Sequence, residues 1–310
     1  MKKLNYVSCL MATLIIVSCS EPEIQDVGVT EVDVTMEDTQ LQKKKKDDNS
    51  KLYSFVDDYA ESFLNLEPYP PLTPMFPDLT IDQAYDFADM LTKELRKGGN
   101  LKRFTGYKLG FTGEVRPFGA PKPVYGKLYS TFEIPEGSVI SQSETFIRGS
   151  IGFEVAIIIG KNVKNFITPE EAMDVVKAIA PAFEFADFAF TNDSFDFRDI
   201  IATNSASRVY ILGKETSLEE LKAQGIDPNF IPLTGTLDGE VILEARVGLP
   251  VGGIFKAVSF LSGELAARGE FLKPGDIILT GAIKGDLNEG FGTYRGDYGV
   301  LGTIEFTLVE

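Results

Sequence analysis

Residues 150–159, Ser-Ile-Gly-Phe-Glu-Val-Ala-Ile-Ile-Ile, are the segment that most restricts how this chain can fold. Read as a strand, one face carries Ile151, Phe153, Val155, Ile157 and Ile159, and the other carries Gly152, Glu154, Ala156 and Ile158. A strand apolar on both faces is covered on both sides. Glu154 is then a carboxylate inside the protein, where an unpaired charge is costly. The segment Pro181-Ala182-Phe183-Glu184-Phe185-Ala186-Asp187 poses the same problem, because Glu184 shares its face with Ala182 and Ala186. Small neighbours leave room above each carboxylate, so the fold must supply both glutamates with a partner.

Two kinds of partner satisfy them. A hard divalent cation, Mg²⁺ or Mn²⁺, accepts all-oxygen ligands, or each glutamate meets a lysine or arginine in a core ion pair. Lys108 is one cation with suitable surroundings. In Gly106-Tyr107-Lys108-Leu109-Gly110-Phe111 it shares a face with two glycines, while Tyr107, Leu109 and Phe111 face the other way. That pattern reads either as a solvated lysine on an edge strand or as a lysine over a pocket.

Composition limits the chemistry further. The chain has no histidine, and its two cysteines, Cys9 and Cys19, both fall in the first nineteen residues. The body therefore has no Ser-His-Asp triad, Cys-His dyad, imidazole base, disulfide or thiolate metal cluster, and acid–base work falls to carboxylates, lysine, tyrosine or metal-bound water. The formal net charge of −16 excludes nucleic acid as a partner. It also means that an anionic substrate needs a local cation or a metal.

The N-terminus reads as a targeting segment. Lys2 and Lys3 precede an apolar run from Leu10 to Val17 that is too short to span a bilayer. The run ends in Ile16-Val17-Ser18-Cys19, which resembles a bacterial lipobox. We expect residues 1–19 to be a lipoprotein signal, Cys19 to be lipidated, and the protein to be anchored to a membrane of the bacterial envelope without spanning it. Residues 20–50 are polar and include Lys43-Lys44-Lys45-Lys46-Asp47-Asp48, the composition of a disordered tether. A globular part over 51–310 follows.

Within that part, Thr80-Ile81-Asp82-Gln83 has capping-box spacing and opens a helix with apolar positions at Ala84, Phe87, Ala88, Leu91 and Leu95, closed by Lys97-Gly98-Gly99. Thr168-Pro169-Glu170-Glu171 opens a second helix, Ser217-Leu218-Glu219-Glu220 a short third one stopped by Gly225, and a fourth covers Ile254 to Arg268. Strand patterns lie at Tyr107–Phe111, Ile151–Ile159, Ala182–Phe190, Val209–Leu212, Val241–Val247, Asp276–Thr280 and Gly302–Val309. Helices and strands mix without regular βαβ alternation, which predicts an α+β fold around a curved sheet.

At these residues the chain resembles the 2-keto-4-pentenoate hydratase group of the fumarylacetoacetate hydrolase superfamily. Gly106–Thr112 resembles its GYKxGLT strand, Phe153-Glu154-Val155-Ala156 the end of its ExEIA strand, and Pro181–Asp187 its PAxEIxD segment. Asp199-Ile200-Ile201-Ala202-Thr203-Asn204-Ser205-Ala206 resembles DTVADNAS, and Leu272–Ala282 resembles LxxGDIILTGA. The resemblance implies a mixed-sheet roll with a smaller N-terminal helical cap, a divalent metal, a small 2-oxo acid as substrate and a homo-oligomer. It further implies Glu154 and Glu184 as metal ligands, Lys108 as the catalytic residue, and Thr280, Gly281 and Asn204 at the substrate.

The chain departs from the family pattern at four places. Gly152 replaces the first glutamate of ExE, Ala189 an arginine, Thr203 an aspartate, and Val124 the aspartate before Tyr125-Gly126. Superfamily hydrolases commonly use a histidine, so its absence points to a lyase, a hydratase or decarboxylase, over an acylpyruvate-type hydrolase. The four departures support a further alternative, a 2-oxo-acid-binding lipoprotein without turnover.

Overall fold

The computed structural model describes residues 49–285, 287 and 290–310. The signal segment, Cys19 and the tether as far as residue 48 lie outside the described residues. Asn49 and Ser50, which composition places in the tether, are helical, and Asn49 Oδ1 accepts from Gln83 Nε2 at 2.6 Å.

The expected α+β mixture is present, built on two sheets. The strands are β1 (Phe104–Gly110), β2 (Val124–Tyr129), β3 (Glu133–Ile134), β4 (Val139–Ser141), β5 (Gly149–Ile159), β6 (Val176–Asp187), β7 (Ser207–Leu212), β8 (Thr216–Ser217), β9 (Pro232–Leu237), β10 (Glu240–Arg246), β11 (Ile277–Leu279), β12 (Gly292–Asp297) and β13 (Thr303–Val309). The larger sheet runs β2-β1-β11-β5-β6-β7-β3, with β8 beside β6, and the smaller runs β10-β9-β12-β13-β4. The helices are α1 (Val56–Asn65), α2 (Ile81–Lys97), α3 (Gln142–Thr145), α4 (Pro169–Ala172), α5 (Phe197–Ala202), α6 (Leu218–Ala223) and α7 (Ile254–Ala267). Among the described residues no helix is long and apolar enough to cross a membrane.

β5 and β6 are central, as their two-sided apolar pattern requires, and every residue from Ile151 to Ile159 is buried. Their outer face meets the smaller sheet, where Phe153 and Phe183 (centroids 4.8 Å), Phe183 and Phe306 (4.8 Å), and Phe185 and Phe306 (4.9 Å) interlock edge to face. Their other face lines the concave side of the curled larger sheet. One end of that concavity is closed by Leu128, Ala156, Ala180, Ala182, Tyr210 and Leu279. The other end holds Gly152, Glu154 and Glu184, with Gly152 directly opposite Glu184 across the ladder.

β6 begins six residues earlier than its sequence pattern suggests, because Pro181 reads as a strand breaker. Pro181 sits where β6 passes from β8 to β7, opposite Val155, whose backbone N–H and C=O are both taken by Thr280. Its missing N–H therefore interrupts no rung, and its carbonyl accepts from Gly213 N (2.8 Å).

The helix signals act as expected at their N-termini. Thr80 and Gln83 form the reciprocal capping box of α2, and its five expected apolar positions are buried. Thr168 and Glu171 do the same for α4, which lasts one turn before the chain enters β6. α2 packs on α1 and α5. The connection to α5 runs through Asp199, whose carboxylate is buried and accepts from Leu72 N (2.5 Å), Thr73 N (2.9 Å), the Thr73 hydroxyl and Asp196 N (3.0 Å).

Removing Asp199 leaves several buried donors unmet, whereas removing the exposed Thr80 hydroxyl loses only its two solvent-accessible bonds to Gln83. Asp199→Ala should destabilise the fold by at least about 3 kcal/mol, and Thr80→Ala by about 1 kcal/mol. Urea denaturation of both variants checks the ranking, and a cost for Asp199→Ala no larger than that for Thr80→Ala would contradict it.

Candidate active site

The curl of the larger sheet brings side chains from distant strands to one place. Lys108 stands on β1 and Glu184 on β6, with β11 and β5 between them in the sheet. Lys108 Nζ nevertheless lies 2.9 Å from Glu184 Oε1, with side chains only 5% and 3% exposed. β1 lies between β2 and β11, so Lys108 is not a solvated edge residue.

Local backbone geometry explains how the lysine gets there. Gly106 has φ +147°, and a Cβ at that position would lie 2.0 Å from Ile277 O, so only glycine lets β1 approach β11 this closely. A register shift at the same place sets the following residues. Lys108 Nζ also donates to Ser205 O at 3.0 Å. That carbonyl belongs to an uncommon turn in which Asn204, Ser205 and Ala206 all have φ near +55°. Left-handed backbone is unfavourable for L-residues and persists only when its surroundings hold it. Here the Asn204 amide accepts from Lys127 N (2.7 Å) and donates to Lys127 O (2.8 Å), and Ser205 Oγ donates to Tyr125 O (2.5 Å). Gly126 completes the fit, because a Cβ there would stand 2.3 Å from Asn204 O. Asn204, expected at the substrate, thus spends its amide on β2 and positions the Ser205 carbonyl.

Glu154 is held from the opposite side. Gly281 N donates to Glu154 Oε2 at 2.9 Å, from a corner with φ +86° where a Cβ would lie 2.3 Å from Thr112 Oγ1. The Thr280 hydroxyl accepts from Val155 N at 3.2 Å, so Thr280 fastens this corner to β5. Behind Glu154, the buried Tyr298 donates to Ala182 O (3.1 Å). Desolvation first, and then the charge of Glu154, push the Tyr298 phenol well above its ordinary range, so it remains a donor.

Lys108, Glu154 and Glu184 line one cavity of about 700 Å³. Ser150 joins them on the same face of β5, two residues before Gly152; its Oγ is buried, lines the cavity and has no hydrogen-bond partner among the described residues. Ser150 is visible in the alternation 150, 152, 154, but a serine at the start of a strand carries no signal by itself. Phe111 and Phe188, which the strand patterns include, lie just past the ends of β1 and β6; Phe111, at φ +56°, lines the same cavity as Lys108 instead of facing away from it, together with Phe118 from the β1–β2 connection.

The departures from the family pattern take ordinary places. Val124 lines the cavity, Ala189 is buried, and the Thr203 hydroxyl bonds back to Asp199 O and Ile200 O. Gly152 lies close against Glu154, since a Cβ at 152 would stand 3.1 Å from both Glu154 Oε1 and Ala282 Cβ. Among the described residues no group of three or more His, Cys, Asp or Glu is arranged to hold a metal. The two carboxylates remain an all-oxygen donor pair, and a magnesium ion is commonly held by one or two carboxylates plus water and substrate oxygens. The donor set fits such an ion, and two carboxylates against one ammonium leave the site with a net negative charge.

Several known proteins are similar to this chain. The fumarylacetoacetate (FAA) hydrolase C-terminal family matches residues 107–298, more than half of the chain. The 2-keto-4-pentenoate hydratase of Paraburkholderia xenovorans (strain LB400) is 25% identical over 220 residues, covering 70% of this chain and 79% of that protein. A 4-oxalocrotonate decarboxylase of Pseudomonas putida is 27% identical over 215 residues, covering 67% and 77%. The solved structure of the 4-oxalocrotonate decarboxylase from Pseudomonas putida G7, complexed with magnesium and adipate, superimposes with a TM-score of 0.76 at 23% identity, over 84% of this chain and 98% of that one. That likeness establishes the roll-like fold with its N-terminal helical portion.

Breaking a buried ion pair from one side leaves an uncompensated charge. Lys108→Met should therefore destabilise the protein by about 3–5 kcal/mol, and the double change Lys108→Met/Glu184→Gln should recover most of that loss. Denaturation of the single and double variants tests this, and equal stabilities would show that the two groups are not coupled.

Proposed function

This chain belongs to the fumarylacetoacetate hydrolase family, and from that membership we propose that it is a lyase acting on a 2-oxo or 2-hydroxydienoic acid, by hydration or decarboxylation. The observation that carries the proposal is the meeting of Lys108, Glu154 and Glu184 in one cavity, each from a different strand and each buried. A buried ion pair adds little net stability over an apolar replacement, so the fold alone does not account for these charges.

Glu154 and Glu184 would hold Mg²⁺ or Mn²⁺. When bound, the ion would supply Lewis-acid stabilisation of negative charge developing on the 2-oxo oxygen. The residues of the chain do the rest. Lys108 draws the substrate carboxylate into an otherwise anionic site. With Glu184 at 2.9 Å it forms a donor–acceptor pair that can hold a proton and deliver it to the substrate carbon chain. Gly281 N fixes one oxygen of Glu154, and Gly152 stands two residues away on the same strand face. Thr280 and Asn204 act on backbone and keep Gly281 and Ser205 in place. The aromatic wall excludes water from the far side of the substrate.

Gly152 favours one second reading, a binder of 2-oxo acids without turnover. With two carboxylates instead of three, metal is held weakly until a chelating 2-oxo acid adds its own oxygens. We further propose that the mature protein begins at a lipidated Cys19 in the bacterial envelope, a reading supported by the Ile16-Val17-Ser18-Cys19 motif. Cys19→Ala should abolish incorporation of labelled fatty acid and release the protein from membranes, and unchanged labelling would remove this assignment.

Glu154→Ala and Glu184→Ala should each lower Mn²⁺ affinity by at least about tenfold in the presence of oxalate, and abolish consumption of 2-hydroxypenta-2,4-dienoate followed by its absorbance. Unchanged binding and turnover would move the site elsewhere. Substrate binding without turnover under any divalent ion would favour the binder. Gly152→Glu restores a carboxylate two residues from Glu154 on the same face and should tighten Mn²⁺ binding. Its Cβ would lie 3.1 Å from Ala282 Cβ, so the neighbouring loop must give slightly. Isothermal titration of both proteins reads the effect, and equal affinities would mean that position 152 does not face the ion.

A further inference from the structure

The cavity is larger and less polar than a small dienoic acid needs. Its buried ionic groups, Lys108, Glu154 and Glu184, meet beside Ser150. Phe111, Phe118, Phe188, Val124, Ile200 and Pro250 supply the apolar part of the remaining wall. Three of these form a continuous aromatic edge, with Phe111 and Phe118 centroids 5.8 Å apart and Phe118 and Phe188 5.9 Å apart. Phe118 is 40% exposed, so this apolar surface is presented to whatever enters. A volume of about 700 Å³ suits a ligand well beyond a five-carbon acid, since pockets for drug-sized ligands span about 300–1,000 Å³.

Resting on the reading of the site given above, we propose that this cavity selects monocarboxylic 2-oxo acids with a long apolar or aromatic tail. The charged end takes the 2-oxo acid head, and the phenylalanine wall covers the tail. A second carboxylate at the far end of the ligand would meet Phe118, Phe188 and Ile200 and would lose its hydration without gaining a buried cation. The other charged side chains described at the lining are Glu114 and Lys284, and both are exposed. Glu114 repels a distal carboxylate, and Lys284 is solvated, so its attraction is weak. Ala189, where the family pattern has an arginine, is buried away from the cavity and supplies no charge.

Titration calorimetry of the whole protein with Mn²⁺ at saturation tests this, using pyruvate, 2-oxooctanoate, phenylpyruvate and 2-oxosuberate as probes. We expect 2-oxooctanoate and phenylpyruvate to bind at least about tenfold tighter than pyruvate, and 2-oxosuberate to bind at least about tenfold more weakly than 2-oxooctanoate, its isometric monoacid. Phe118→Ala should weaken binding of the long tails several-fold more than that of pyruvate; because Phe118 is part-exposed, the variant should fold. Equal affinities for pyruvate and 2-oxooctanoate would overturn the selectivity while leaving the 2-oxo acid head intact. So would a preference for 2-oxosuberate that vanishes in Lys284→Ala. Failure of every 2-oxo acid to bind, pyruvate included, would overturn the selectivity and the reading of the site together.

Discussion

One ion pair organises this molecule, the contact between Lys108 Nζ and Glu184 Oε1 across the concave face of the larger sheet. Its partners belong to strands separated by two others, so a flat sheet would hold them too far apart. The pair exists because the sheet curls, and burying it constrains the curl in return. Such a pair adds little net stability, since desolvation offsets most of the Coulombic gain. A core of alanines and leucines, as at the closed end of the same concavity, would serve the fold as well. The charged end is better explained by the chemistry proposed for it.

The surrounding backbone supports that view. Gly106, Gly126 and Gly281 each stand where a Cβ would fall within 2.3 Å of a neighbouring atom. Each lets a chain segment come closer than any other residue allows, and each acts on a charged group. Gly106 brings up the strand bearing Lys108, Gly126 admits the turn that presents Ser205 O to it, and Gly281 aims an N–H at Glu154. The left-handed run Asn204-Ser205-Ala206 adds local strain, compensated by side-chain hydrogen bonds to β2. Several weak devices converge on three charges.

Much of this was legible in the amino-acid sequence, and the exceptions share a cause. Capping boxes are local, so Thr80 and Thr168 mark α2 and α4 without reference to the rest of the fold. Two-sided burial of β5 follows from alternation alone. β9 and β12 were not legible, because Pro-Leu-Thr-Gly-Thr-Leu and Gly-Thr-Tyr-Arg-Gly-Asp have little intrinsic strand preference and are ordered by pairing with each other and with β10 and β13. α1 and α5 likewise depend on contacts with α2. In the site, the glutamates and Lys108 stood out because a charge in an apolar or glycine-rich strand is anomalous. Ser150 did not, because whether its hydroxyl has a partner is decided by what lies opposite. Asn204 showed the reverse problem: its place in a motif suggested substrate, whereas its amide holds two backbone groups of Lys127.

The cavity therefore divides by the range of the forces that build it. At the charged end, two carboxylates outnumber one ammonium, and the whole chain carries a formal charge of −16, so an anionic head enters only with a cation beside it. In the proposed site, binding of acid and ion would be coupled for that reason, each lowering the electrostatic work of admitting the other. At the aromatic end no such coupling operates, because burial of apolar surface depends on area and not on charge. Affinity set by the tail can then vary without disturbing the head, provided that the tail brings no second charge. Gly152 is consistent with this division: in the proposed site, one carboxylate fewer would weaken the hold on an ion at the charged end, and a well-buried tail would offset that loss from the other end of the same cavity.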